Sequence, residues 1–197
     1  MNFLAHLFLA GDNTSARIGN LLGDFVKPPT CELYPPAIRA GILLHRKIDS
    51  FTDMHPLFAR SRTRIDPSRR RYAGVIVDIF YDHFLAAHFS HYSAVSLTDF
   101  AKTVYASLNA NRSILPESLT SMLPWMIREN WLVSYADIAG VHRTLNRMAD
   151  RIPRADRLAG AAADLEDFYD DFATDFATFF PDVQTFVAKE RTADMYL

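Results

Sequence analysis

The segment Val75-Ile-Val-Asp-Ile-Phe-Tyr-Asp-His-Phe-Leu85 is apolar on every side of a helical wheel, yet it carries Asp78, Asp82 and His83. Such a helix has no soluble face, so it must sit inside a shell of other elements. The rest of the chain supplies a helical shell. Apolar residues recur at three-and-four spacing almost throughout, and the prolines fall between the periodic stretches. The chain is therefore predicted to be all-α, a single-domain helical bundle over residues 1–197. Helices are expected over 2–10, 14–26, 35–53, 69–90, 97–111, 117–135 with a bend at Pro124, 137–151 and 157–188. Ser68 and Ser96 are candidate N-caps, Pro35-Pro36 suits a first helical turn, and Pro28-Pro29 stops the second helix.

At 197 residues the chain can bury a substantial core without disulfides or metals for stability. A formal charge of −2 argues against a chain-wide electrostatic role in binding nucleic acid or membranes. The single cysteine, Cys31, cannot form an internal disulfide, which fits a reducing cytoplasm. The opening Met1-Asn-Phe-Leu-Ala-His-Leu-Phe-Leu-Ala10 lacks a basic flank and carries His6 inside its apolar run, so it reads as a first helix rather than a signal peptide. No later apolar run approaches the ~18 residues of a membrane span. A cytoplasmic protein is expected.

Near the C-terminus, Leu165, Phe168, Tyr169, Phe172, Phe176, Phe179 and Phe180 form an aromatic seam, with Asp164, Glu166, Asp167, Asp170, Asp171 and Asp175 in most of the remainder. The seam is expected to be core, with pocket-lining as its alternative. Pro181 is expected to kink or end the helix.

Four polar pairs at i,i+4 spacing carry the chemical signal, since that spacing sets both members on one helical face. Asp78 and Asp82 stand about 40° apart on an ideal wheel, and two buried carboxylates one turn apart need a cation. Carboxylates and imidazole suit Mn²⁺ or Mg²⁺; the bland alternative is an arginine partner from Arg39, Arg46 or Arg62. His45 and Asp49 repeat the geometry, with Asp53 a turn further on. Their alternative is a simple Asp–His hydrogen bond. Asn20 and Asp24 lie among Gly19 and Gly23, whose bare helix face permits close approach of a backbone or ligand. Asp24 is the better ligand candidate of the two. Asn2 and His6 form the weakest pair, because Asn2 also suits an N-cap and His6 a satisfied core position.

Arg60, Arg62, Arg64, Arg69, Arg70 and Arg71 make a dense basic cluster beside the Asp78 helix. It is either a solvated face or a dock for an acidic partner or phosphorylated ligand. A phosphate loop, a Gly-x-Ser-x-Gly elbow, a His-Glu-x-x-His motif and the Glu-x-x-His pairs of di-iron bundles are all missing. What remains is the His/Asp site type that activates water against a phosphate ester.

The ordered motifs Asn2-Phe-Leu-Ala-His6-Leu, Gly19-Asn-Leu-Leu-Gly-Asp-Phe-Val26, Leu44-His-Arg-Lys-Ile-Asp49 with Thr52-Asp53, and Asp78-Ile-Phe-Tyr-Asp-His-Phe-Leu85 resemble the acyl carrier protein phosphodiesterase family. Looser likeness continues through Trp131-Leu-Val-Ser-Tyr135 and Phe179-Phe-Pro181. The resemblance implies an HD-hydrolase-like fold and a divalent-metal enzyme, manganese favoured, that cleaves 4′-phosphopantetheine from holo acyl carrier protein. One departure is Phe8, where the family pattern often has a second histidine; another is the Asp82-His83 order, which reverses the His-Asp of the wider fold. Residues and resemblance together nominate Asp24, His45, Asp49, Asp78 and Asp82 as metal ligands. His6 or His83 is nominated for proton transfer, the metal, Arg46 or a histidine for the leaving oxygen, and the arginine cluster for the acidic carrier protein. The alternatives are an HD-type phosphohydrolase of a small phosphate ester and a non-catalytic carrier-protein-binding module.

Overall fold

The computed structural model describes residues 1–193, and no strand occurs among them. The chain runs through α1 (Phe3–Leu9), α2 (Thr14–Leu22), α3 (Pro36–Met54), α4 (Pro56–Arg64), α5 (Ala73–Ala87), α6 (Phe89–Tyr92) and α7 (Leu97–Ala110). It continues through α8 (Glu117–Arg128), α9 (Trp131–Ser134), α10 (Ile138–Arg151), α11 (Ala162–Asp167) and α12 (Tyr169–Ala193). No helix among the described residues is long and apolar enough to cross a membrane.

The all-round apolar segment takes the central position its composition demands. Every residue of α5 from Ile79 to Ala86 is buried, and α1, α4, α10 and α12 pack around it. The aromatic seam of α12 is core: Phe172, Phe176, Phe179 and Phe180 are buried, Phe172 meeting Phe80 edge-on and Phe176 meeting Tyr81. Only Phe168 at the start of the seam is largely exposed. α12 runs through Pro181 instead of ending there, with Val183 and Val187 continuing its buried face.

α2 and α3 cross at their glycines. A Cβ on Gly19 would stand 2.1 Å from the Ile38 carbonyl oxygen, and one on Gly41 would stand 2.7 Å from that of Ala16. The small-residue face is therefore used by a neighbouring backbone, which draws the polar residues of α2 against those of α3.

The helix expected over 157–188 is divided at Phe168 into α11 and α12, and the one expected over 69–90 breaks at His88; three further departures have local causes. α4 occupies a stretch expected to be loop: His55 accepts from the Leu57 amide and Pro56 opens the first turn, while only Phe58 and Ser61 of its nine residues are buried, leaving little apolar period to read. The helix expected over 117–135 runs through Pro124 and breaks at Asn130, whose φ is +47°. Proline at 124 leaves the Thr120 carbonyl without its helical donor, and Arg112 Nη2 donates to it at 3.3 Å. The central helix begins at Ala73, after a 3-10 turn over Pro67–Tyr72 capped by Asp66 rather than Ser68. Ser96 caps α7 as expected, accepting from the Asp99 amide at 3.1 Å.

Half of the arginine cluster has a structural task. Asp175 of α12 is fully buried, where Arg60, Arg64 and the Ser61 hydroxyl all donate to it. Arg64 also reaches Asp171 at 3.3 Å, and Arg69 pairs with Asp164 of α11 at 3.2 Å. These arginines clasp α4 and the turn after it to the C-terminal helices, because a buried carboxylate needs charged donors. The exposed remainder of the cluster is Arg62, Arg70 and Arg71.

Candidate metal centre

α1 and α3 bring His6, His45 and Asp49 together. His6 Nε2 lies 3.0 Å from Asp49 Oδ1, and His45 Nε2 lies 3.0 Å from Asp49 Oδ2. The two imidazoles stack with centroids 3.8 Å apart and planes at 22°. Both rings are buried, while the Asp49 carboxylate is partly open to solvent. Each residue offers a ligand atom, and these atoms all lie within 4.8 Å of one another.

Local sequence explains the arrangement. His45 packs against the bare Cα of Gly23, where a Cβ would stand 2.1 Å from its Cγ. Asn20, buried on α2, holds His6 Nδ1 at 2.9 Å from its Oδ1. With the amide assigned this way, Nδ1 carries the proton and Nε2 presents its lone pair to Asp49. Burial pushes the His6 pKa down to about 4, against the pull of Asp49, so the ring is neutral at ordinary pH. A neutral Nε2 and a carboxylate oxygen 3.0 Å apart are two acceptors facing each other, an arrangement that suits a shared cation. His45 Nδ1 is buried without a hydrogen-bond partner. Asp49 is opposed by its own burial, yet the bond from His45 and the Met1 ammonium beside it hold its carboxyl well below the usual range. The donor set, two imidazoles and one ionised carboxylate, fits a divalent transition ion.

The other nominated residues are placed as follows. Asp24, beyond the end of α2, stands with Oδ1 3.6 Å from His45 Nε2, and burial raises its pKa. Asp78 accepts from the α-amino group of Met1 at 2.7 Å, and that group lies 3.7 Å from Asp49. Burial works against the ammonium, but Asp78 and Asp49 keep its pKa above the ordinary value. Asp82 lies beneath the group rather than in it: it accepts from the backbone amides of Leu4 at 2.7 Å and Ala5 at 3.2 Å. It thereby caps α1, a task that Asn2 does not perform with its side chain. Burial pushes its pKa up to about 7 despite those amides.

His83 and Arg46 are turned elsewhere. His83 Nδ1 donates to the Tyr135 carbonyl at 2.8 Å and its Nε2 accepts from the Tyr169 hydroxyl at 3.0 Å. Arg46 donates to the Val26 carbonyl at 3.0 Å. Sequence reasoning ranked Asn20 below Asp24, although Asn20 is the residue that orients His6; the flanking glycines were the available signal. The role of the Met1 ammonium has no signature in a motif.

A family model described as acyl carrier protein phosphodiesterase matches residues 1–183. The chain belongs to that family. It is 37% identical over 182 residues to the acyl carrier protein phosphodiesterase of Photorhabdus laumondii, covering 92% of each chain. The protein of that name from Escherichia coli O6:H1 is 40% identical over 185 residues, covering 92% of this chain and 94% of its own length. That of Yersinia pestis is 36% identical over 182 residues, with 92% and 94% covered. No solved structure matches the chain. Family membership and the all-helical fold agree with the phosphodiesterase enzyme class that the ordered motifs imply.

Proposed function

We propose that this chain is a metal-dependent phosphodiesterase domain that removes 4′-phosphopantetheine from holo acyl carrier protein and leaves the apo protein. The observation that carries the reading is the convergence of His6, His45 and Asp49 on one point, in a chain whose relatives are named acyl carrier protein phosphodiesterase. These three residues would hold the ion, Mn²⁺ first and Mg²⁺ second. Bound there, it supplies Lewis acidity toward the phosphoryl oxygens and toward water.

The chain's own groups do the rest. Asn20 fixes the His6 ring, and Asp49 spans both imidazoles. Asp24 adjoins His45 with a pKa raised by burial, the direction that makes a carboxylate a better base, and it takes the proton of the attacking water. The water oxygen bonds to phosphorus, the bond from phosphorus to the serine oxygen breaks, and the proton returns to that oxygen. Asp78, with the Met1 ammonium against it, closes the acidic wall. The carrier protein, an acidic partner, meets Arg62, Arg70 and Arg71, since Arg60, Arg64 and Arg69 are engaged internally. The buried thiol of Cys31 fits a cytoplasmic setting.

Intact-mass measurement of holo carrier protein after incubation with the chain and Mn²⁺ tests this directly. The expected product is the carrier protein lighter by the whole arm, with EDTA abolishing the change. An unchanged mass with every divalent ion tried refutes the reading.

A further inference from the structure

A cavity of about 290 Å³ opens between α1, α8, α9 and α10, outside the His/Asp group. Its apolar walls include Phe3, Trp131 and Met148, and its polar groups are Asn2, Tyr135 and Thr144, with Arg147 and Arg151 also in the lining. A second cavity of about 370 Å³ shares Met122 and Trp131 with it and continues past the exposed Trp125. The first cavity begins beside the candidate centre. Asn2 follows Met1, whose ammonium is 3.7 Å from Asp49, and Phe3 stacks on Phe25, the neighbour of Asp24, at 6.2 Å.

The polar groups carry specific unmet capacity. Tyr135 Oη accepts from Asn2 Nδ2 at 2.8 Å, and Thr144 Oγ1 accepts from Arg147 Nη2 at 3.2 Å. Neither hydroxyl has an acceptor for its own hydrogen among the described residues, although both side chains are buried. The side-chain Oδ1 of Asn2 likewise has no donor among the described residues. Two O–H donors and one amide acceptor set among apolar walls match a chain of secondary amides separated by short alkyl links. Of the two arginines in the lining, Arg147 is engaged by Glu129 and lies over the Trp131 ring at 4.4 Å, and Arg151 stands exposed at the rim.

We propose that this cavity is the subsite for the pantetheine arm, with the arm's amides bonded to Tyr135, Thr144 and Asn2 and its alkyl links against Trp131 and Met148. The proposal rests on the function proposed above and adds where the arm lies. It places the phosphate at the His/Asp group and the thiol end toward the second cavity and Trp125.

Two variants and one binding measurement test it. Met148→Trp fills the cavity and Thr144→Val removes one donor at nearly constant shape. The readout is the ratio of kcat/KM for holo carrier protein to kcat/KM for bis(p-nitrophenyl) phosphate, a diester with no arm. The expected fall in that ratio is about tenfold or more for Met148→Trp and about three- to tenfold for Thr144→Val, the latter being the worth of one hydrogen bond. Equal losses on both substrates, or an unchanged ratio, overturn the proposal. Pantetheine without phosphate is the direct probe: it should quench Trp131 fluorescence in a Trp125→Phe background, and Met148→Trp should weaken its competition with holo carrier protein about tenfold. No quenching at millimolar pantetheine overturns the subsite even if holo carrier protein is cleaved. Quenching without cleavage by the parent chain would instead support the subsite and count against the function it serves.

Discussion

Gly23→Ala separates the construction of the site from the construction of the fold. The added methyl would stand 2.1 Å from His45 Cγ, 2.3 Å from Cδ2 and 2.6 Å from Cβ. Carbon atoms touch at about 3.5 Å, so the ring must recede by roughly 1.4 Å. That displacement is large beside the 3.0 Å separation of His45 Nε2 from Asp49 and the 3.8 Å stack on His6. A misplacement of about 1 Å in a reacting group costs on the order of 100-fold in rate, or about 2.8 kcal/mol of activation free energy. Stability should suffer less: φ at Gly23 is −54°, which alanine adopts freely, and alanine's helical preference of up to about 1 kcal/mol offsets part of an overpacking cost of about 1–3 kcal/mol. Gly19→Ala is the control, because its methyl would meet the Ile38 carbonyl oxygen at 2.1 Å, and backbone cannot swing aside as a ring can. Turnover of holo carrier protein, Mn²⁺ titration and thermal unfolding, measured on both variants, give the comparison. Gly23→Ala should lose turnover and ion affinity with a smaller fall in Tm than Gly19→Ala, since His45 Cβ at 2.6 Å also forces a slight shift of α3. Full turnover in Gly23→Ala would refute the claim that His45's position is set by the bare Cα of Gly23.

Other perturbations probe the surrounding structure. Asp175→Asn should cost about 2–4 kcal/mol, less than a fully isolated pair because Arg64 keeps Asp171 and Ser61 keeps the Tyr81 hydroxyl. Burial opposes ionisation of Asp175, but Arg60, Ser61 and Arg64 lower its pKa overall; the stabilisation is therefore complete above the unfolded value of about 3.9 and is lost as pH falls through the lower folded value. Urea titrations of both proteins should differ fully at pH 6 and converge in strong acid; a constant gap would show that charge is not the cause. Asp82→Ala should destabilise by about 1–2 kcal/mol through loss of the α1 cap, whereas Asp82→Asn keeps one of the two acceptors, turns an NH2 toward the other amide, and should lose part of that stability while keeping its Mn²⁺ affinity. Loss of ion binding in Asp82→Asn with normal stability would make it a ligand after all. Reversing Arg62 and Arg70 to Glu should raise KM for holo carrier protein about tenfold with little change in kcat, as expected for groups that steer encounter; an unaltered KM would remove them from docking.

The central helix, buried without a break from Ile79 to Ala86, and the close crossing at Gly19 were legible because both depend on local pattern alone. The demand of Asp78 and Asp82 for positive partners was equally legible. Its answer was not: a terminal ammonium met one and a helix N-terminus met the other, and neither is a residue type that spacing can search for. The same limit governs His83, whose ring is claimed by a carbonyl and a hydroxyl more than fifty positions away. Arg60, Arg64 and Arg69 read as surface charge because their acidic partners lie about a hundred residues downstream. His45 and Asp49 converge because they share a face of one helix, whereas the arrival of His6 required tertiary packing.

α1 spans seven residues, well below the length at which a helix persists alone in water, and its first turn is completed by a carboxylate from α5. The segment that carries His6 therefore acquires its shape only from the core that receives it. Amide protons of α1 should exchange at the rate of global unfolding rather than by local fraying, and core substitutions in α5 that never touch the His/Asp group should abolish ion binding in step with their loss of stability. For this chain, assembling the site and closing the core are one cooperative event.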